Sequence, residues 1–191
     1  MIILNYGCPR TGTTFINRML GKGVDLIAGK IAEGHSYHPI KSKCGLLNLC
    51  YTFQSCDLLF VRTVRDPINI FESFYHAKKM KIEGLDGQND ESIKRIIELE
   101  ETNTRIQSEG LRLVTIDFDK MGDIDYSKEK ILEICSHTKD PARNSEIYLN
   151  FIRERYNKLP IRQGRLSDNS REISYLTQEQ KQTISSWHKS L

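Results

Sequence analysis

Gly7-Cys8-Pro9-Arg10-Thr11-Gly12-Thr13-Thr14 is the segment of this chain whose residue types and spacing can do chemistry. Glycines at 7 and 12 bracket an arginine, and two threonines follow. Backbone N–H groups in such a turn, set at the start of a helix, form a cradle for a phosphate or a similar small anion. The glycine spacing matches the Walker A loop, G-x-x-x-x-G-K-[ST]. The position after the second glycine decides what the loop is laid out to do. Walker A places a lysine there to reach the β- and γ-phosphates, whereas this chain has Thr13. The frame is a phosphate cradle without the cation that γ-phosphoryl transfer uses, and Arg10 sits earlier in the loop instead. The plainer alternative is a tight turn that holds no ligand.

Two more stretches carry basic and hydroxyl groups in suggestive order. Arg65 leaves the apolar run Asp57–Val64, and Ser73 follows on what reads as a helix. An arginine at a strand end and a serine on the next helix can converge on one phosphate, although a surface arginine and a helix serine give the same letters. Arg162-Gln163-Gly164, followed by Ser167-Asp168-Asn169, is a basic turn near the C-terminus. Between the first two stretches lies the polar run Gly29–Lys43, with Glu33, His35, His38, Lys41 and Lys43. It is the densest cluster of proton acceptors near the loop. His35-x-x-His38 has a spacing that metals use, but no third ligand follows at a usual distance, so no metal is expected.

These groups need elements to position them. Ile2–Tyr6 is short, apolar and β-branched at its start, and reads as a buried strand. Phe15, Ile16, Met19 and Leu20 recur at helical spacing, and Gly21 and Gly23 supply the stop. Asp57–Val64 reads as a second strand. Asp66-Pro67 then reads as an N-cap with proline at the first helical position, opening a helix to about Met80. Gly29–Lys43 reads as a loop, with a short strand near Ile40. Glu83–Asp90 is a polar connection to a helix through Ile93, Ile96 and Ile97. Leu111–Ile116 is a third strand. Ser127–Cys135 and Ser145–Tyr156 read as helices, and Thr177-Gln178-Glu179-Gln180 as a capping box for a last one. Strands alternating with helices predict an α/β fold in three layers, a mainly parallel sheet flanked by helices. Ile2–Tyr6 should be a central strand, with the Gly7–Thr14 loop at its carboxyl edge.

Composition bounds the partners. With 191 residues and 38% hydrophobic content, one domain over 1–191 is expected. A net charge of +3 does not call for nucleic acid. Met1-Ile2-Ile3-Leu4 is broken by Asn5 and has no basic segment before it, so no signal peptide is expected. No apolar run approaches the roughly 20 residues of a membrane helix, so no membrane partner is expected. Five cysteines without a C-x-x-C pair argue against a disulfide framework and imply a reducing, cytoplasmic setting.

Pro9-Arg10-Thr11-Gly12-Thr13-Thr14-Phe15 resembles the 5′-phosphosulfate loop of sulfotransferases that use 3′-phosphoadenosine 5′-phosphosulfate (PAPS), P-[KR]-[ST]-G-T-T-[WFL]. The run around Arg65-Asp66-Pro67 with Ser73 looks like that family's 3′-phosphate element, and Arg162-Gln163-Gly164 is similar to its R-K-G-x-x-G-D loop, with departures at Gln163 and Ser167. The resemblance implies a P-loop fold. It also implies sulfuryl transfer from PAPS to a hydroxyl or amine of a small-molecule acceptor, with release of 3′-phosphoadenosine 5′-phosphate (PAP). It implies cofactor contacts from Arg10, Thr11, Gly12, Thr13, Thr14, Phe15, Arg65, Ser73, Arg162 and Gly164, with Phe15 flanking the adenine. Arg10 would act on the bridging oxygen.

The pattern breaks at the base. Cytosolic members carry a histidine in K-[TS]-H; here Ile40-Lys41-Ser42-Lys43 puts Lys43 in its place. A lysine of ordinary pKa is a poor base at neutral pH. Tyrosylprotein sulfotransferases use a glutamate soon after the first helix, where this chain has Lys30 and, nearby, Glu33. Glu33 and His35 are therefore the expected bases, with His38 behind them. The chain is also shorter than the family's members, and the lost length should come from acceptor-covering segments. Two other classes stay open: a nucleotide or small-molecule kinase, and a non-catalytic nucleotide-binding protein.

Overall fold

Four parallel strands run side by side in the order β2-β1-β3-β4: β1 (Ile2–Gly7), β2 (Ile27–Lys30), β3 (Leu58–Val64) and β4 (Leu113–Asp117). They belong to a computed structural model that describes residues 1–8, 10–30, 57–76, 104, 106–108, 110–158 and 176–189. The helices are α1 (Thr13–Leu20), α2 (Pro67–His76), α3 (Ile124–Cys135), α4 (Pro141–Lys158) and α5 (Gln178–Lys189), with a 3-10 turn at Phe118–Lys120. In register, Ile3 is level with Ala28 and Leu59, and Val61 with Asn5 and Val114.

The register explains the two faces, because side chains alternate along each strand. Ile3, Leu59, Val61, Val114 and Ile116 point to one face, where they pack with Ile16 and Met19 of α1, Ile131 and Ile134 of α3, and Tyr148 and Ile152 of α4. Leu4, Tyr6 and Phe60 point to the other and pack with Ile106. A sheet buried on both faces reads as near-continuous apolar strands, as β1 and β3 do. The expected α/β class, the parallel sheet and the internal position of Ile2–Tyr6 are all seen.

Local chemistry sets the helix starts. Asp66 caps α2 as its sequence predicts, its Oδ1 accepting from Ile68 N at 2.8 Å and Asn69 N at 3.4 Å. The capping box of α5 is reciprocal: Gln180 N donates to Thr177 Oγ1 at 3.2 Å, and Thr177 N to Gln180 Oε1 at 2.8 Å. Helix α5 packs on α2 through Phe71, Leu176 and Ile184.

The starts of two helices and the extent of β2 and β4 differ from expectation; β4, expected over Leu111–Ile116, runs from Leu113 to Asp117. Helix α3 starts at Ile124, where Asp123 caps Asp125 N at 2.8 Å and Tyr126 N at 3.2 Å. Ser127, expected as the start, is buried in the first turn and donates to Met121 O at 2.7 Å. Helix α4 starts at Pro141, with Asp140 Oδ1 accepting from Arg143 N at 3.1 Å. Gly29 and Lys30, expected in a loop, close β2. The expected features at Ile40, Glu83–Asp90 and Ile93–Ile97, and the end of the helix near Met80, lie outside the described residues.

The turn after α1 is tied to α4. Tyr148 OH donates to Leu20 O at 3.3 Å, and Asn144 Oδ1 accepts from Val24 N at 2.8 Å. Nearby, burial pushes the Cys135 thiol up to about 12, which makes it inert at neutral pH. Among the described residues no helix is long and apolar enough to cross a membrane, and no cluster of His, Cys, Asp or Glu could hold a metal ion.

Candidate anion-binding site

The chain moves from β1 outward to β2, then crosses back to β3 and on to β4. The direction of winding therefore reverses between β1 and β3. In open parallel sheets the crevice outside the carboxyl ends of the strands at such a reversal is the usual ligand position. The loop from Gly7 to Gly12 leaves β1 on one side of it, and Arg65-Asp66 leaves β3 on the other.

The loop has an unusual backbone. Arg10 has φ 70°, and Gly12, the N-cap of α1, has φ 87° and ψ 11°. A left-handed arginine is strained and persists where its surroundings hold it. Gly12 is glycine for two reasons: its φ, and the Phe118 ring that fills the space a Cβ would need. The first intrahelical bond is Ile16 N to Gly12 O at 3.1 Å, so the amides before it gain no acceptor from the helix. With the positive end of the helix dipole, they suit an anion.

Buried hydroxyls fasten the loop to β3. Thr11 Oγ1 donates to Cys8 O at 2.7 Å and lies 3.0 Å from Thr63 Oγ1. Thr63 Oγ1 also lies 3.2 Å from Tyr6 O, as donor. Two hydroxyl protons serve three contacts. Thr11 spends its proton on the shortest, so the Thr63 proton is shared between Thr11 Oγ1 and Tyr6 O. From below, Asn5 Nδ2 donates to Thr13 O at 2.7 Å and holds the first turn of α1 on β1.

Arg65 joins the two sides of the crevice. Its side chain is 3% exposed; Nε pairs with Asp119 Oδ1 at 3.0 Å, and Nη1 donates to Arg10 O at 3.2 Å. The guanidinium also lies 5.8 Å from the Phe118 ring centroid. A buried guanidinium needs a partner charge, and Asp119 supplies it. Asp119 Oδ2 takes two further donors, Asp66 N at 3.0 Å and Asn69 Nδ2 at 2.8 Å.

The expected site residues sort as follows. Arg10, Thr11, Gly12, Thr13, Thr14 and Phe15 lie on one turn at the crevice, and Arg65 is brought to it. Thr11 and Thr13 are buried, and Thr14 is exposed. Phe15 is half-buried, with its ring centroid 5.8 Å from that of Phe118 and 5.5 Å from that of Phe151. Ser73 is half-buried on the second turn of α2. Glu33, His35, His38, Lys41, Lys43, Arg162 and Gly164 lie outside the described residues. Sequence reasoning missed Thr63, Phe118 and Asp119. Thr63 had a signal: it is the polar member of the alternate set Leu59, Val61, Thr63, which is otherwise apolar. No family model matches this chain, and comparison with curated proteins and with solved structures finds no match.

Proposed function

We propose that this protein is a PAPS-dependent sulfotransferase of the P-loop type, moving a sulfuryl group to a hydroxyl or amine of a small acceptor. One observation carries the reading. The loop that resembles the 5′-phosphosulfate loop and the arginine that resembles the 3′-phosphate arginine meet at the β1/β3 reversal, joined by the 3.2 Å bond from Arg65 to Arg10 O.

PAPS supplies an activated sulfuryl group whose departure leaves a 5′-phosphate. The amides at the start of α1, with Arg10 and the threonines at 13 and 14, take up the charge that develops there. Arg65, with Ser73 and Arg162, grips the 3′-phosphate that separates PAPS from ATP. Glu33 or His35 takes the acceptor proton. Backbone register supports a base from that segment: Lys30, the last residue of β2, is level with Asn5 of β1. The chain therefore enters the stretch containing Glu33 and His35 at the sheet edge where the loop lies.

Thermal shift with PAP, with ATP–Mg²⁺ and with AMP tests the reading. Stabilisation by PAP in preference to the other two is expected, followed by turnover with PAPS and a panel of phenols, sugars and amines. Stabilisation by ATP–Mg²⁺ alone would turn the reading to a kinase. Binding of PAP without turnover would leave a nucleotide-binding protein. Arg65→Ala is expected to weaken PAP by about 1.5–3 kcal/mol, the range of a hydrogen bond to a charged group, and adenosine 5′-phosphosulfate by less. Equal losses for the two ligands would make Arg65 a clamp on the loop and remove it from 3′-phosphate recognition.

A further inference from the structure

We propose that Asp119 is the positioning residue of the β1/β3 crevice. It aims Arg65 at the Arg10 carbonyl and thereby holds the left-handed turn that presents the α1 amides. The inference rests on the reading of the Gly7–Thr14 loop as an anion cradle.

Asp119 is itself firmly set. It sits in the 3-10 turn that ends β4, its N–H donating to Asp117 Oδ1 at 3.1 Å. Asp117 N in turn donates to Tyr126 OH at 2.6 Å, which ties the turn to α3. From that fixed point the Asp119 carboxylate collects three donors on two neighbouring elements. Arg65 Nε comes from the end of β3, Asp66 N from the cap of α2, and Asn69 Nδ2 from the first turn of α2. One carboxylate thus sets the end of β4, the exit of β3 and the entry to α2.

The consequence for the loop runs through Arg65. Nε to Asp119 fixes the plane of the guanidinium, and a planar group fixed at one nitrogen is fixed at all three. Nη1 then meets Arg10 O. Arg10 is the strained residue of the loop, at φ 70°, and such strain persists where surrounding contacts determine it. The hydrogen bonds of the Asp119 carboxylate go to Arg65, Asp66 and Asn69, and of these Arg65 reaches the loop, at Arg10 O. The link from Asp119 to the anion site runs through Arg65.

The test is a double-mutant cycle on the full chain with Asp119→Asn, Arg65→Met and both together, read in two ways. The first needs no ligand: hydrogen exchange of the amides of residues 10–16, with those of α4 as reference. Each single variant is expected to raise exchange in 10–16 about tenfold and leave α4 unchanged, and the double variant is expected to add nothing. The second is the Kd for PAP, expected to rise about tenfold in each single variant, the low end for loss of a hydrogen bond to a charged group, again with no further loss in the double. Unchanged exchange in Asp119→Asn, or losses that add in the double, would overturn the proposal. Coupled exchange in a protein that does not bind PAP would support the positioning role and overturn the cofactor reading alone. If Asp119→Asn does not fold, Asp119→Glu keeps the charge, and misaligned pairing should give the same coupled exchange.

Discussion

Two buried regions of this molecule are built in opposite ways. On the α3–α4 flank, Ile131, Ile134, Tyr148 and Ile152 fill space against β1, β3 and β4 with apolar atoms. At the carboxyl edge of the sheet, Thr11, Thr13, Thr63 and Arg65 are buried as well, yet hydrogen bonds hold them, crossing between β1, β3 and the turn after β4. Apolar packing is non-directional and stabilises the fold as a whole. A hydrogen-bonded edge contributes less net stability per contact, but it specifies conformation, because each donor has only one or two acceptors in reach. The edge uses that specificity to keep Arg10 and Gly12 in left-handed backbone, which packing alone would not select. The flank should therefore govern stability, and the edge should govern the shape of the crevice.

The largest expected effect lies on the flank. Ile134→Ala should lower unfolding free energy by about 2–5 kcal/mol, the range for truncating a fully buried isoleucine. Urea denaturation measures it. Hydrogen exchange of residues 10–16 should stay at the wild-type level under native conditions. Altered loop exchange in the folded variant would show that the two regions are not separable in this way.

Gly12→Ala attacks the edge at its most constrained point. A side chain at φ 87° is strained, and the new methyl would meet the Phe118 ring. Strain and overpacking together should cost about 2–4 kcal/mol. Unlike Ile134→Ala, this change should also abolish stabilisation by PAP in a thermal-shift assay. Retained PAP stabilisation would separate the turn at Gly12 from ligand binding.

The sequence made some of this comparison legible. β1, β3 and β4 carry apolar runs long enough to read alone, and Asp66-Pro67 and Thr177–Gln180 are local cap signals confined to one turn. The loop was legible because its glycines, arginine and threonines are contiguous. β2 was not: Ile27-Ala28-Gly29-Lys30 has little strand character, and its conformation comes from pairing with β1. Asp140-Pro141 repeats the Asp66-Pro67 signal, and the helix starts there, four residues before Ser145. The partners that shape the edge were beyond reach, because Thr63 lies 52 residues from Thr11 and Asp119 lies 54 from Arg65. No spacing rule joins residues that only the parallel sheet brings together. Arg162 and Gly164 rest on the resemblance, and Glu33 and His35 on their place in the polar run that follows the first helix.

A third change sharpens the role of the buried hydroxyls. Thr63→Val keeps the shape of the side chain and removes the proton shared between Tyr6 O and Thr11 Oγ1. Leaving buried polar atoms short of a partner should cost about 1–3 kcal/mol. Faster exchange at residues 10–16 should accompany the loss, since Thr11 is part of the same latch. A stability loss without a change in the loop would assign Thr63 to the strand ladder alone.

The smallest effect expected is at another threonine, in a setting that makes it a control for Thr63. Thr177 caps α5 on the exposed surface, its Oγ1 accepting from Gln180 N at 3.2 Å. Thr177→Ala removes that acceptor, but water can reach the freed amide, so no buried group is left unsatisfied. The reciprocal bond from Thr177 N to Gln180 Oε1 uses the backbone of residue 177 and survives the change. The cost should lie at the low end of the range for N-caps, about 0.5–1 kcal/mol, and is measured by the urea midpoint. Helix α5 packs on α2 through Leu176 and Ile184, away from the crevice loop, so exchange at residues 10–16 should not move. The same loss of one threonine hydroxyl would then cost more at 63 than at 177 and disturb the loop only at 63. A cost at 177 equal to that at 63 would mean that burial does not set the value of these hydroxyls, and the contrast between the two kinds of region would lose its physical basis.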